Sequence, residues 1–239
     1  MASQPVAVAE QRWNERQLTQ PLRAPAWRLW HYAAPAVVLG CSQRRLLAAA
    51  EGGAHGAMSE IPVLVRAAGG GAVLTGPWML GLSVALPAAH PLVEPGSVGS
   101  YRWLGLCIAQ ALQQAGVRGA HAISAERLRA GQPHGGVAWA CFGGLSPWEV
   151  LAADGRKLAG LAQVRRRHGV LLVGGVLLAA SPWALLCRAL AQPDADAQRL
   201  ERFATHCGAQ IGAAFDVRAF QLSLAAALHT CVESEPCPH

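Results

Sequence analysis

The dipeptide Asp154-Gly155 limits the possible folds of this chain more than any other pair of residues. It separates two apolar runs, Glu149 to Ala153 and Lys157 to Val164, and an Asp-Gly pair in that setting predicts a tight antiparallel hairpin. A third apolar run, His168 to Ala179, follows closely enough to join the same sheet. Upstream, Trp27 to Leu39 mixes aromatic and β-branched residues. Pro62 to Arg66, Ala72 to Thr75, Leu80 to Leu86 and Val137 to Phe142 are further short apolar runs, set off by glycine or proline, and all of these predict strands. Helical signals flank them. Arg44 to Glu51 runs into Gly52-Gly53, and Ser100 to Gly116 carries apolar residues at helical spacing, with Ser100 as N-cap and Gly116 as the stop. Ser181-Pro182 opens another helix, and Gln198 to Gly208 and Val217 to His229 are two more. Strands in the middle with helices on either side give an α+β class: a mixed, largely antiparallel β-sheet flanked by helices.

Composition removes several function classes. The chain has 239 residues, of which 52% are hydrophobic, enough for one sizeable core. We expect a single domain over residues 25–230, a polar surface segment over 1–24 and a tail over 231–239. The longest apolar stretch, Val170 to Cys187, is broken by Gly174, Gly175, Ser181 and Pro182, so it reads as strand plus helix and not as a membrane span. The N-terminus has no basic segment followed by an apolar one, which points to a cytoplasmic protein. Seven cysteines at irregular spacing fit reduced thiols, and Cys231, Cys237 and His239 match no zinc spacing, so no metal is expected. The net charge is +6, yet the arginines are scattered except for Arg165, Arg166 and Arg167, and no nucleic-acid motif accompanies them. An acidic protein partner suits that charge better than nucleic acid or a membrane.

The basic residues are also lopsided. Lysine and arginine total 20, and Lys157 is the only lysine. Arginine stays charged and cannot serve as a base, whereas lysine can shift its pKa and take part in chemistry, so Lys157 is a candidate before any motif is considered. It opens the second strand of the predicted hairpin, in Gly155-Arg156-Lys157-Leu158-Ala159-Gly160-Leu161-Ala162-Gln163-Val164-Arg165, where Gly160 and Ala162 leave room against the strand. Two other segments carry possible chemistry. Arg66-Ala67-Ala68-Gly69-Gly70-Gly71-Ala72-Val73 lets the backbone approach a ligand closely. Cys141-Phe142 stands before Gly143-Gly144, where a cysteine can be a nucleophile if its thiolate is favoured, though a cysteine in such a place is more often a buried small hydrophobe.

In order and spacing, four stretches resemble the lipoate–protein ligase and octanoyltransferase family of the biotin/lipoate cofactor transferases. They are PAVVLGCSQ at 35–43, VRAAGGGAV at 65–73, ACFGGLSPWEV at 140–150 and GRKLAGLAQVR at 155–165. The resemblance implies a biotin/lipoate ligase-like catalytic domain without an accessory C-terminal domain. Cys-Phe at this position resembles the cysteine-dependent octanoyl- and lipoyl-transferase subgroup. It implies that Cys141 carries the acyl group as a thioester and that Lys157 contacts the acyl carbonyl, stabilising the oxyanion with help from glycine-loop amides. Arg66, Gly69, Gly70, Gly71 and Val73 would line the acyl site, Gly160 and Ala162 would flank the chain, and Gln43 and Gln163 match recurrent polar positions. The acceptor would be the target lysine of a lipoyl-carrier domain and the donor an acyl carrier protein, both acidic, with no cofactor required. Two alternatives remain: an ATP- and Mg-dependent lipoate–protein ligase with Lys157 on an acyl-adenylate, and a non-catalytic acyl- or lipoyl-domain-binding homologue. The chain departs from the family pattern at Thr75-Gly76, where His-Asp is usual, at Met79, and at Val173-Gly174-Gly175, where Gln-His-Gly is common.

Overall fold

The computed structural model describes residues 5–47, 61–93, 96–131 and 136–233. Its centre is an antiparallel six-stranded sheet in the order β1-β5-β9-β8-β7-β6, with a three-stranded sheet, β3-β2-β4, packed beside it. The strands are β1 (Ala26–His31), β2 (Ala36–Leu39), β3 (Val63–Val65), β4 (Val73–Thr75), β5 (Met79–Pro87), β6 (His121–Ala122), β7 (Val150–Leu151), β8 (Lys157–Arg166) and β9 (Gly169–Leu177). The helices are α1 (Val6–Thr19), α2 (Gly96–Gln114), α3 (Ala125–Ala130), α4 (Trp183–Ala189), α5 (Ala195–Phe203), α6 (Cys207–Ile211) and α7 (Val217–Glu233).

The expected α+β class and its antiparallel sheet are what the chain forms. Asp154-Gly155 does turn β7 into β8, with Gly155 at φ 81°, and Gly116 does end α2 at φ 92°. β5, β8 and β9 are nearly continuous apolar runs because both faces of the sheet are covered. One face packs on α2 and α7 through Leu82, Leu104, Ile108, Leu161, Phe220 and Leu224. The other lies under α1, the small sheet, α4 and α5, through Trp30, Leu39, Leu74, Phe142, Trp183 and Leu200.

Several local expectations are corrected. Residues 1–24 are not simply a polar surface segment: residues 6–19 form α1, whose Ala7, Glu10 and Asn14 are buried against the sheet. Ser100 is not an N-cap: α2 begins at Gly96, and the buried Ser100 hydroxyl donates to Gln163 Oε1 at 2.9 Å. Val137 to Phe142 is no strand. Only Ala140 bridges to Ala72, and Cys141–Gly143 closes a 3-10 turn. The helix expected over 198–208 breaks into α5 and α6, because Ala204 bridges to Lys157 and the Thr205 amide donates to Lys157 O at 2.9 Å. The helix after Ser181-Pro182 starts at Trp183, one residue later than expected. Residues 44–47 are helical, whereas the predicted stop at Gly52-Gly53 lies outside the described residues. Cys231 belongs to α7 and not to a tail, and Cys237 and His239 lie outside the described residues. Among the described residues, no helix is long and apolar enough to cross a membrane.

Candidate functional site

The site is built on an irregularity in β8. Val150 pairs with Ala159 and Leu151 with Lys157, so the pairing skips Leu158 and makes a β-bulge. In a regular strand, Lys157 and Gly160 would point to opposite faces, being an odd number of residues apart. With the bulge they meet. A Cβ built on Gly160 would stand 3.3 Å from Lys157 Cε and 3.5 Å from Nζ. The same Cβ would stand 3.1 Å from Cys141 Sγ, so glycine here is what lets thiol and ammonium share one place on the sheet.

Lys157 is 1% exposed, and each of its three N–H donors has an acceptor. These are Cys141 O at 2.7 Å, Gly144 O at 2.9 Å and the Glu149 carboxylate at 2.7 Å. Its ammonium also lies 5.3 Å from the centre of the Phe142 ring. Glu149 is equally enclosed, accepting from the Ser146 amide at 2.7 Å and the Leu161 amide at 3.1 Å. A buried cation with a matched carboxylate and full hydrogen bonding is the one arrangement in which burying charge is tolerable. Its mechanical effect is to clamp the turn that carries Cys141 by the carbonyls of Cys141 and Gly144. Trp148, at φ 70°, turns the chain ahead of Glu149, and its carbonyl rests where a Cβ on Gly105 would be.

Cys141 is half-buried, and the Ala72 carbonyl holds its amide at 2.8 Å. The glycine loop presses against the same backbone: a Cβ on Gly71 would be 2.6 Å from Cys141 N. Arg66 fixes that loop from below. Its Nε and Nη2 donate to Gly69 O at 3.1 and 2.8 Å, Nη2 also reaches Gly71 O at 2.9 Å, and Nη1 reaches Val38 O at 3.3 Å.

The thiol opens into a cleft with about 490 Å³ of empty space, open solvent at its mouth included. Its apolar lining comes from Val38, Val73, Met79, Phe142, Leu161, Ala162 and Val173. Its polar lining comes from α1, Tyr32, Arg66 and Thr75. Tyr32 donates from its hydroxyl to Glu10 Oε2 at 2.8 Å. Burial pushes the Glu10 carboxyl up to about 7, against the lowering pull of the Tyr32 hydrogen bond, the Arg66 charge and the Asn14 hydrogen bond. Burial likewise pushes the Tyr32 hydroxyl well above its usual value, so it remains a donor.

Of the residues singled out in the sequence, Cys141, Arg66, Val73, Gly160 and Ala162 meet around this cleft, with Lys157 directly behind the thiol. Gly69, Gly70 and Gly71 are not among its lining residues and form a loop against the Cys141 backbone. Gln43 ties two segments together, donating to Trp139 O at 2.8 Å and accepting from the Gly40 amide at 3.2 Å. Gln163 points to the opposite face of the sheet, where it bonds to Ser97 and Ser100 of α2. Sequence reasoning missed Glu149, Tyr32, Glu10 and Asn14. For Glu149 there was a usable signal, a buried-type lone lysine that needs a carboxylate. The α1 residues gave none.

The family model of the lipoyl protein ligase A/B catalytic domain matches residues 3–227. An octanoyltransferase LipM from an Exiguobacterium species is 36% identical over 125 residues, covering 50% of this chain and 43% of that protein. Another from Macrococcus caseolyticus is 28% identical over 117 residues, 48% of this chain and 41% of that one, so the matches span less than half the length of these relatives. Among solved structures, a bipartite lipoate protein ligase with its E2 lipoyl domain from Thermoplasma acidophilum superposes with a TM-score of 0.63. It is 14% identical and covers 98% of this chain and 81% of that one. A lipoate-protein ligase A bound with ATP gives 0.58 at 15% identity, covering 93% and 77%. These structures establish the likeness of fold.

Proposed function

Because this chain belongs to the lipoyl protein ligase A/B catalytic-domain family, we propose that it transfers an octanoyl or lipoyl group to the target lysine of a lipoyl-carrier domain through a thioester on Cys141. The observation that carries this reading is the position of the Cys141 thiol, at the inner edge of an apolar cleft and directly over Gly160. The Cys141 thiolate attacks the thioester carbonyl of an acyl carrier, the carrier thiol leaves with a proton, and the acyl group rests on Sγ. The lysine amine of the acceptor then attacks that thioester, an amide forms, and the Cys141 sulfur leaves with the proton the amine gives up. The resemblance implies that Lys157 contacts the acyl carbonyl and stabilises the oxyanion, but its three donors are already engaged. In this reading Lys157 and Glu149 are therefore positioning residues that hold the two carbonyls of the cysteine turn. The net charge of +6 favours encounter with acidic carriers.

Transfer is favoured over ATP-dependent ligation by the state of Lys157. To meet a phosphate, its ammonium must give up Cys141 O, Gly144 O or Glu149, and no ATP or Mg is needed for transfer. Incubation with octanoyl carrier protein should add one octanoyl group by intact mass, removable by hydroxylamine and absent in Cys141→Ala. An adduct that persists in Cys141→Ala overturns the covalent route. Lipoate-dependent pyrophosphate release from ATP, retained in that variant, selects the ligase. Saturable binding without turnover selects the non-catalytic homologue.

A further inference from the structure

Three glycines lie in one row across three neighbouring strands, because Gly160 on β8 pairs with Gly175 on β9, which pairs with Gly81 on β5. Directly paired residues share a face, and each glycine makes room for a side chain from elsewhere. Cys141 Sγ lies 3.1 Å from a Cβ built on Gly160, Met79 Sδ 2.9 Å from one on Gly175, and the Tyr32 hydroxyl lies on the place of one at Gly81. All three side chains line the cleft. Thiol and phenol therefore stand two strand spacings apart, roughly 10 Å, which suits an extended acyl chain of about eight carbons.

The end marked by the phenol is not apolar. Tyr32 donates to Glu10, Asn14 stands on the next turn of α1, and both α1 side chains line the cleft. Asn14 is 4% exposed, and its Oδ1 has no hydrogen-bond partner among the described residues. A chain ending in a methyl group would leave that oxygen unpaired and dry, whereas a chain ending in a donor would satisfy it. We propose that this end of the cleft recognises a hydrogen-bond donor, so that the preferred acyl group is one of about eight carbons with a hydroxyl at its far end. This rests on the reading of the cleft as the acyl site.

Calorimetry on the full chain tests it with N-methyl amides of octanoic and 8-hydroxyoctanoic acid and with lipoamide, which carry the carbonyl but cannot acylate the thiol. The hydroxylated amide should bind about tenfold more tightly than the octanoyl amide or lipoamide, and Asn14→Leu should erase that advantage. Equal or weaker binding of the hydroxylated amide, or no binding of any of the three, overturns the proposal. The wild-type comparison decides the matter even where the variant fails to fold. Octanoyl transfer to Cys141 without hydroxyl preference overturns this inference alone. Hydroxyl-selective binding with no adduct from any thioester overturns the transfer reading alone.

Discussion

Lys157 behind the thiol and Glu10 at the other end of the cleft are both buried ionisable groups, and the fold treats them differently. Lys157 faces a carboxylate at 2.7 Å, and both partners are fully hydrogen-bonded. Glu10 accepts from a phenol, while Arg66, whose charge pulls its titration down, directs its donors to the carbonyls of Val38, Gly69 and Gly71. Near the thiol, charge is matched and the turn is held rigid. At the far end, a carboxyl stays unmatched, burial dominates its titration, and the wall keeps hydrogen-bonding capacity that a ligand can use. On the proposed reading, rigidity belongs to the reacting end of the cleft and selectivity to its other end.

Breaking the matched pair should have the largest effect. Glu149→Leu leaves a buried ammonium unopposed and should cost about 3–5 kcal/mol in urea denaturation, and Lys157→Met should cost a similar amount by stranding Glu149. The double variant should recover a large part of that loss, because two apolar side chains can replace a buried ion pair, yet the acyl adduct on Cys141 should still form slowly. Recovery of stability without recovery of adduct formation would separate holding the turn from holding the fold. Additive losses in the double variant would mean that the two side chains do not act as a pair.

The unmatched carboxyl should show itself through pH. Glu10 has its folded-state pKa raised to about 7 from an ordinary value near 4.5, so its contribution is fully present below about pH 4.5 and is lost as pH rises through 7. Ionisation in the folded state then costs up to about 3 kcal/mol at pH 8. Glu10→Gln should therefore match the wild type in urea at pH 5 and be more stable at pH 8. A stability difference that stays the same from pH 5 to pH 8 would show that burial does not control this group.

What could be read from the sequence follows the range of the interactions. Asp154-Gly155 and Gly116 announce themselves because a turn needs only its own residues. The convergence of Cys141, Arg66 and Gly160 was legible as a pattern of motifs, although nothing local dictates their contact. The bulge at Leu158 was hidden, since period-two alternation assumes regular pairing. So was α1, whose buried face carries Glu10 and Asn14 and therefore looks like a surface segment to any hydrophobic pattern. The break between α5 and α6 was equally invisible, because it is imposed by Lys157 pairing with Ala204 and Thr205 from far along the chain.

The smallest effect should come from the ion pair that looks best on geometry alone. Arg156, adjacent to Lys157, places Nε at 3.0 Å and Nη2 at 2.8 Å from Asp154 Oδ2, while its amide donates to Oδ1 at 3.0 Å. Both side chains are about two-fifths exposed, so water and salt already satisfy them. Arg156→Ala should lower stability by no more than about 0.5 kcal/mol, and 0.5 M salt should remove most of that. Asp154→Ala should cost somewhat more, about 1 kcal/mol, because the carboxylate also accepts the backbone amide that closes the turn. Two ion pairs on neighbouring residues, with similar distances and about tenfold different costs, would isolate burial as the variable that separates Lys157 from Arg156. If Arg156→Ala proved as costly as Lys157→Met, the hairpin turn itself, and not the buried pair, would be what holds the cysteine in place.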